Sequence, residues 1–127
     1  MKQIIAFLFV IASTAQNKPV VFESKILSES KLSCRAIFVD SDKIWMGMDK
    51  GRYGFYDKKK DSLHIHTIQS VNSATEFRSI ATTKEAIFIL SVGNPAKVIK
   101  IDKKSLLETI VYTEENEKVF YDSMHFV

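Results

Sequence analysis

The 127-residue sequence has few of the residues from which covalent, metal or nucleotide sites are built. Its one cysteine, Cys34, excludes an intrachain disulfide and a metal site made of several thiolates. Its four glycines never take the G-x-G-x-x-G spacing that cradles a dinucleotide, and neither C-x-x-C nor a haem-attachment motif occurs. We therefore expect no cofactor and no metal. Because Cys34 opens an apolar run, we also expect its thiol to be buried.

Charge of one sign is also scarce. The formal charge of +3 comes from 18 basic and 15 acidic side chains scattered along the chain. This excess is too small to predict binding to nucleic acid or to an anionic membrane. The one basic cluster, Lys58–Lys60, is followed at once by Asp61 and is typical of a solvated turn.

Long apolar runs are absent as well. The longest, Ile4–Ala12, has nine residues, whereas a membrane-spanning helix needs about 20. Lys2 precedes this run, and Ser13 and Ala15 follow at positions suited to cleavage before Gln16. This order predicts a secretory signal peptide over residues 1–15, and hence an exported protein without a permanent membrane anchor. A buried N-terminal strand is the alternative.

The rest of the chain shows alternating or short continuous apolar runs rich in β-branched and aromatic residues, which favour β-strands. No helical period is sustained, so the predicted fold class is all-β. The predicted strands cover residues 20–27, 33–39, 43–48, 52–57, 62–68, 76–82, 86–92, 96–102 and 106–113.

Four of these strands are repeated once. At an offset of 43 residues, Arg35 falls on Arg78 and Trp45 on Phe88, and at a further offset of 44 Arg78 falls on Asp122, within a third unit that has only begun. Four short strands every 40 to 45 residues are typical of a β-propeller blade. Because a blade buries its faces only against neighbouring blades, two blades and one strand cannot close a ring. We therefore expect either missing C-terminal blades or self-association of several chains.

The predicted organisation follows from this repeat. Residues 1–15 form the signal peptide, and residues 16–127 form a partial propeller. Within the propeller we expect a closing strand at 20–27, blade one at 33–70, blade two at 76–113 and the first strand of blade three at 119–127.

The segments "FRSIA", "AIFILSVGNPA" and "VYTEENEKVFYDSM" carry a resemblance to a known family. Together with the leader, they resemble the N-terminal part of exported bacterial propellers described as photosystem II stability/assembly-factor-like, within the sialidase or Asp-box superfamily. The resemblance spans Val20 to Val127 and implies a seven-bladed propeller. The Asp-box pattern S-x-D-x-G-x-T-W does not occur, however, and no redox motif supports the oxidoreductase label that some members carry.

Charged residues recur at one repeat position and form the first candidate site. Arg35, Arg78 and Asp122 share that position on the first strand of each unit, and Glu76 lies two residues before Arg78 on the same strand face. We expect these groups to approach one another at the mouth of the central channel, where the arginines could hold a carboxylate or phosphate. A structural ion-pair belt between blades is the alternative.

Two further features are weaker candidates. The turn Gly93–Asn94–Pro95 is exposed and tight, and such loops often carry function, although an ordinary hairpin turn is an equal alternative. His64 and His66 alternate on one strand face, but no third ligand can be named, so we expect a partly solvated face there.

These features predict an exported, non-enzymatic binding or scaffold module for a protein or small ligand, with the assembly or stability role that the resemblance implies. The alternative is a fragment of a sialidase-like glycoside hydrolase. In such an enzyme clustered arginines would hold a substrate carboxylate, and a tyrosine nucleophile and a second carboxylate would perform the chemistry. A third possibility is a structural module whose ring is assembled from several short chains.

Overall fold

The computed structural model describes residues 31–93, 95–116, 118–119 and 121–125. Eight strands form two four-stranded sheets. The first sheet contains β1 (Cys34–Val39), β2 (Lys43–Met48), β3 (Arg52–Asp57) and β4 (Ser62–Thr67). The second sheet contains β5 (Glu76–Thr82), β6 (Ala86–Val92), β7 (Lys97–Asp102) and β8 (Glu108–Thr113). None of the described residues belongs to a helix that could cross a membrane.

Each sheet is an antiparallel meander in which every strand pairs with its neighbours in sequence. This confirms the predicted all-β class and its four-stranded units, and the eight strands lie within two residues of their predicted ends. The described part of the chain contains no closed ring. The signal peptide and the strand at 20–27 lie outside the described residues. The described residues of 119–127 are not in a strand, so a third blade stays a prediction.

One face of the first sheet packs against the second sheet through large side chains and one glycine. Trp45 pairs across the strands with Phe38 and Phe55, which places all three side chains on this face, and the rings of Trp45 and Phe55 are 4.8 Å apart. Gly47 lies under β5, where an added Cβ would be 2.9 Å from the carbonyl oxygen of Phe77. The sheets therefore come closest where the sequence provides no side chain.

The second sheet contributes isoleucines to this interface. Ile87 pairs with Ile101 and Ile89 with Ile99, so that the four side chains share one face, and all four are fully buried. Facing them, Tyr53 is also buried. Burial raises the pKa of Tyr53 to about 12, and the charge of Glu108 adds to this shift. The core therefore lies between the two sheets, as the packing of neighbouring blades predicts.

The turns of the two sheets repeat in detail. Asp57 accepts hydrogen bonds from the two backbone N–H groups of Lys59 and Lys60, and Asp102 accepts them from the corresponding residues 104 and 105. Four positions after each aspartate the chain adopts left-handed geometry, at Asp61 (φ 52°) and Leu106 (φ 59°). The repeat thus extends from the order of strands to individual hydrogen bonds.

An ion pair joins the sheets at the end where these turns lie. The Lys103 ammonium is 2.7 Å from the Asp40 carboxylate and also donates to the carbonyl oxygen of Thr83. The hydrogen bond from Lys103 lowers the pKa of Asp40, and the N–H of Ser41 adds to this effect. Asp40 lies in the first sheet and Lys103 in the second, so the pair ties the two sheets together.

This ion pair predicts a specific loss of stability in acid. Because the pKa of Asp40 is lowered in the folded state, its contribution is complete above the unfolded value of about 3.9 and is lost as the pH falls through the folded value. Asp40→Asn keeps an acceptor for Ser41 but removes the charge. We expect the difference in urea midpoint between wild type and this variant to be largest above about pH 5 and to shrink toward about pH 2.

An exposed ion pair supplies the control for this titration. Asp42 pairs with Lys59 at 3.0 Å, with side chains 53% and 74% exposed, and exposed pairs add little stability. Asp42→Asn should therefore shift the urea midpoint only slightly at any pH. A wild-type-minus-variant difference for Asp40→Asn that stays flat across the acid range would contradict the assignment.

Candidate functional site

Two β-bulges place an arginine at the same point of each sheet. The register of β1 against β2 shifts between Cys34 and Ala36, so Arg35 is the extra residue there. The register of β5 against β6 shifts between residues 77 and 79, which makes Arg78 the extra residue of the second sheet. A bulge interrupts the alternation of side chains and can re-aim one of them. The two arginines that the repeat aligned are therefore presented by equivalent backbone irregularities.

Glu76 brings the two arginines together. Arg35 Nη2 lies 3.4 Å from Glu76 Oε1, while Arg78 donates from Nε and Nη2 to Glu76 Oε2 at 3.2 and 3.0 Å. The contact between Arg35 and Glu76 crosses from the first sheet to the second. We call these three residues the arginine cluster. Asp122, the fourth predicted member, is exposed and has no hydrogen bond or ion pair among the described residues.

The arginine cluster has N–H donors that the Glu76 carboxylate does not engage. The side chains of Arg35 and Arg78 are 46% and 43% exposed, and that of Glu76 is 27% exposed. Each guanidinium has five N–H donors, and the single carboxylate engages one from Arg35 and two from Arg78. Two positive groups against one negative group leave the cluster with a net positive charge. Such a cluster can accept a further carboxylate or phosphate.

A cavity of about 290 Å³ lies at the same end of the molecule. It is bounded by the connection from β4 to β5 and by the hairpin from β6 to β7. Glu76 follows Thr75 in sequence and pairs with Val92, and both of these residues line the cavity. Lys97 Nζ closes one side by donating to the carbonyl oxygen of Ser70 at 3.0 Å. We call this space the loop cavity.

The predicted loop site contributes to this cavity. Gly93 and Pro95 both line it, and Asn94 lies outside the described residues. Gly93 has a φ of 150°, a conformation that residues with a side chain rarely adopt. The glycine therefore has a backbone role in the hairpin.

Sequence reasoning did not find a cluster of two tyrosines and a carboxylate. The hydroxyl groups of Tyr112 and Tyr121 donate to Glu114 Oε2 at 2.7 and 2.8 Å. Hydrogen bonding to Tyr121 and Glu114 raises the pKa of Tyr112, and the same network lowers the pKa of Glu114. Tyr112 and Glu114 are two residues apart, a spacing that puts them on one side of an extended chain. No signal in the sequence connects Tyr121 to them.

The sequence predicted a partly solvated face for the two histidines and a buried thiol for the cysteine. His64 is exposed and stacks on Phe55 at 4.7 Å, and His66 is half-buried and stacks on Tyr53 at 5.2 Å. No three metal-binding side chains gather anywhere in the described ranges.

The expected burial of Cys34 is wrong, because the residue is exposed at the first position of β1. Partial desolvation nevertheless raises the pKa of its thiol, which disfavours the reactive thiolate.

Comparison with known proteins adds no relative: no family model matches the chain, and it matches neither a curated protein nor a solved structure.

Proposed function

We propose that this chain is part of an exported, non-enzymatic propeller that binds a protein or small ligand through the arginine cluster. The observation that carries the proposal is the meeting of Arg35 and Arg78, from two different sheets, on the single carboxylate of Glu76. The ligand group would be a carboxylate or phosphate, for which the planar fork of arginine is well suited. An assembly or stability role for other proteins, implied by the family resemblance, belongs to the same proposal.

The surroundings of the arginine cluster support a binding role. The cluster lies at the end of the molecule where the loop cavity is found, so an anionic group on the arginines could extend into a cavity lined by two loops. Rigid scaffolds commonly present their binding residues on such loops. Pairing of β1 with β2 and of β5 with β6 fixes the backbone on either side of the two arginines.

The hydrolase alternative gains nothing from Tyr112 as a nucleophile. A tyrosine nucleophile has to lose its proton, whereas the hydrogen bonds of Tyr112 raise its pKa. Tyr112 also lies on β8, three strands from β5, which carries Arg78. At a strand spacing of about 4.8 Å this separates them by about 14 Å.

Arg78→Ala tests the binding role. Inorganic phosphate is titrated into the protein, and binding is followed through the arginine side-chain N–H signals in NMR spectra. Hydrogen bonds to charged groups contribute about 1.5–3 kcal/mol, so we expect the affinity for phosphate to fall about tenfold or more. Arg78→Lys, which keeps the charge but loses the fork, should fall between wild type and the alanine variant.

Lys104→Ala is the matched control. It removes one exposed positive charge just after the end of β7 that lies away from the loop cavity. We expect it to leave phosphate binding unchanged. An equal loss in both alanine variants would mean that phosphate responds only to net charge. Unchanged phosphate binding in Arg78→Ala, together with lower stability, would instead favour the structural ion-pair belt.

A further inference from the structure

The loop cavity carries a positive charge without a negative one. The described residues that line it include one lysine, Lys97, and neither aspartate nor glutamate. Lys97 is half-buried and forms no ion pair within the described part of the chain. Its ammonium donates one hydrogen bond, to the carbonyl oxygen of Ser70, and keeps two of its three N–H donors. A negative group bound in the cavity would balance this charge.

A buried hydroxyl group supplies a further donor beside Lys97. Ser91 is 2% exposed and lines the loop cavity. Its Oγ accepts the backbone N–H of Lys97 at 2.8 Å, while no acceptor among the described residues takes the hydroxyl proton. Buried polar groups are hydrogen-bonded in the great majority of cases, because a donor left without a partner is costly. An anionic oxygen in the cavity would supply the missing acceptor.

The connection from β4 to β5 adds an amide donor on the other side of the cavity. Asn72 Oδ1 accepts the N–H of Ala74 at 2.9 Å and the hydroxyl of Thr75 at 3.2 Å, and all three residues line the cavity. The amide nitrogen of Asn72 has no partner among the described residues. Charged and neutral donors therefore face the cavity from both of its walls, which suits an anion and disfavours a cation.

The loop cavity and the arginine cluster lie at one end of three neighbouring strands. Arg78 bulges next to Phe77, which pairs with Ser91, and Ser91 in turn is bonded to Lys97. Arg78 on β5 and Lys97 on β7 are therefore two strand spacings apart, about 10 Å between their backbones. A cavity of about 290 Å³ is the size of a small-molecule site, so one small molecule can reach both positive groups.

We propose that the loop cavity is a second anion subsite, and that the ligand is a small dianion. One acidic group, a carboxylate or phosphate, would bind the arginine cluster, and the other would bind Lys97 and Ser91 in the cavity. The first contact rests on the proposed function of the arginine cluster, whereas the second depends on the cavity alone. Charge supports two acidic groups, because Arg35, Arg78 and Lys97 exceed the single carboxylate of Glu76 by two.

Linear dicarboxylates and their monomethyl esters test the second subsite. Succinate, adipate and suberate hold two carboxylates at increasing separations, and each monomethyl ester keeps the chain but lacks one charge. Affinities are measured by isothermal titration calorimetry at constant ionic strength, because salt screens exposed charges. Analogues with a phosphonate in place of one carboxylate distinguish the two acid types. We expect at least one dicarboxylate to bind about tenfold tighter than its ester, or more.

Lys97→Gln removes the charge in the cavity and keeps a donor for Ser70. We expect it to abolish the advantage of the dicarboxylate over its ester, while phosphate binding read from the arginine N–H signals stays unchanged. Lys100→Gln is the matched control, since Lys100 lies on the same strand, is exposed and does not line the cavity. Ser91→Ala should also reduce the advantage, with Lys97 still in place.

The outcomes separate this inference from the proposed function. Equal affinity of every dicarboxylate and its ester, or equal losses in Lys97→Gln and Lys100→Gln, would overturn the second subsite. Phosphate binding that still requires Arg78 would then leave the proposed function standing. Dicarboxylate binding that requires Lys97 but is unchanged in Arg78→Ala would contradict the proposed function, and with it the contact of one ligand with both subsites.

Discussion

Replacing Trp45 by alanine is expected to lower the free energy of unfolding by about 3–5 kcal/mol. The Trp45 side chain is fully buried between the two sheets, and its ring packs 4.8 Å from that of Phe55. Its removal leaves a cavity that two hydrogen-bonded sheets cannot close by a small movement. Since single domains are stable by about 5–15 kcal/mol, such a loss is a large part of the total.

Trp45→Phe is the matched control for this substitution. Phe88 stands at the equivalent repeat position, and the buried indole N–H of Trp45 has no hydrogen-bond partner among the described residues, so phenylalanine gives up no hydrogen bond there. We expect the phenylalanine variant to lose less than half as much stability as Trp45→Ala. Urea unfolding is followed by far-ultraviolet circular dichroism, because Trp45 is the only tryptophan and its fluorescence disappears with it. A loss below about 1 kcal/mol in Trp45→Ala would contradict the placement of the core.

Gly47→Ala is expected to destabilise the protein by about 1–3 kcal/mol, although it adds a single methyl group. The new Cβ would lie 2.9 Å from the carbonyl oxygen of Phe77 and 3.0 Å from its Cβ. The closest neighbour is a backbone atom of β5, so no change of rotamer can relieve the overlap. The two sheets would have to separate locally, which also weakens the packing of nearby core residues.

A second substitution distinguishes this overlap from an ordinary strand effect. Thr109→Ala, at an exposed position of β8, should change the stability by no more than about 0.5 kcal/mol. In the variant Gly47→Ala/Phe77→Ala, the loss should exceed that of Phe77→Ala alone, because the Phe77 carbonyl oxygen and Cβ both remain in place. A double variant as stable as Phe77→Ala would show that the ring of Phe77, and not these two atoms, limits the approach of the sheets.

Much of the fold could be predicted from the sequence because it depends on local patterns. The alternation of apolar residues and the placement of turn residues predict the bounds of four strands as the structure has them: 43–48, 52–57, 76–82 and 86–92. Meander order then follows, since short turns join neighbouring antiparallel strands. The approach of Arg35 to Arg78 follows from the same patterns, because the repeat places equivalent residues at equivalent points of neighbouring sheets, whereas their position at the mouth of a channel stays a prediction.

Other features depend on distances that no local pattern contains. Cys34 begins an apolar run, yet its strand turns this end toward solvent, so burial could not be inferred from its neighbours. Tyr121 approaches Glu114 through the path of the chain after β8. The repeat aligns Lys103, which follows Asp102, with the lysine that follows Asp57. Its contact with Asp40 is seen only in the interface between the two sheets.

The meander order has a consequence for folding kinetics. Each strand pairs only with strands adjacent in sequence, so the hydrogen-bond ladders of both sheets form between residues that are close along the chain. Closing such short loops costs little entropy, and topologies with low contact order fold quickly. The contacts of β5 with β1, β2 and β3 connect more distant residues and can form only when both sheets have begun to order. We therefore expect hairpin formation to precede docking of the sheets, with the interface of Trp45 and Gly47 consolidating last.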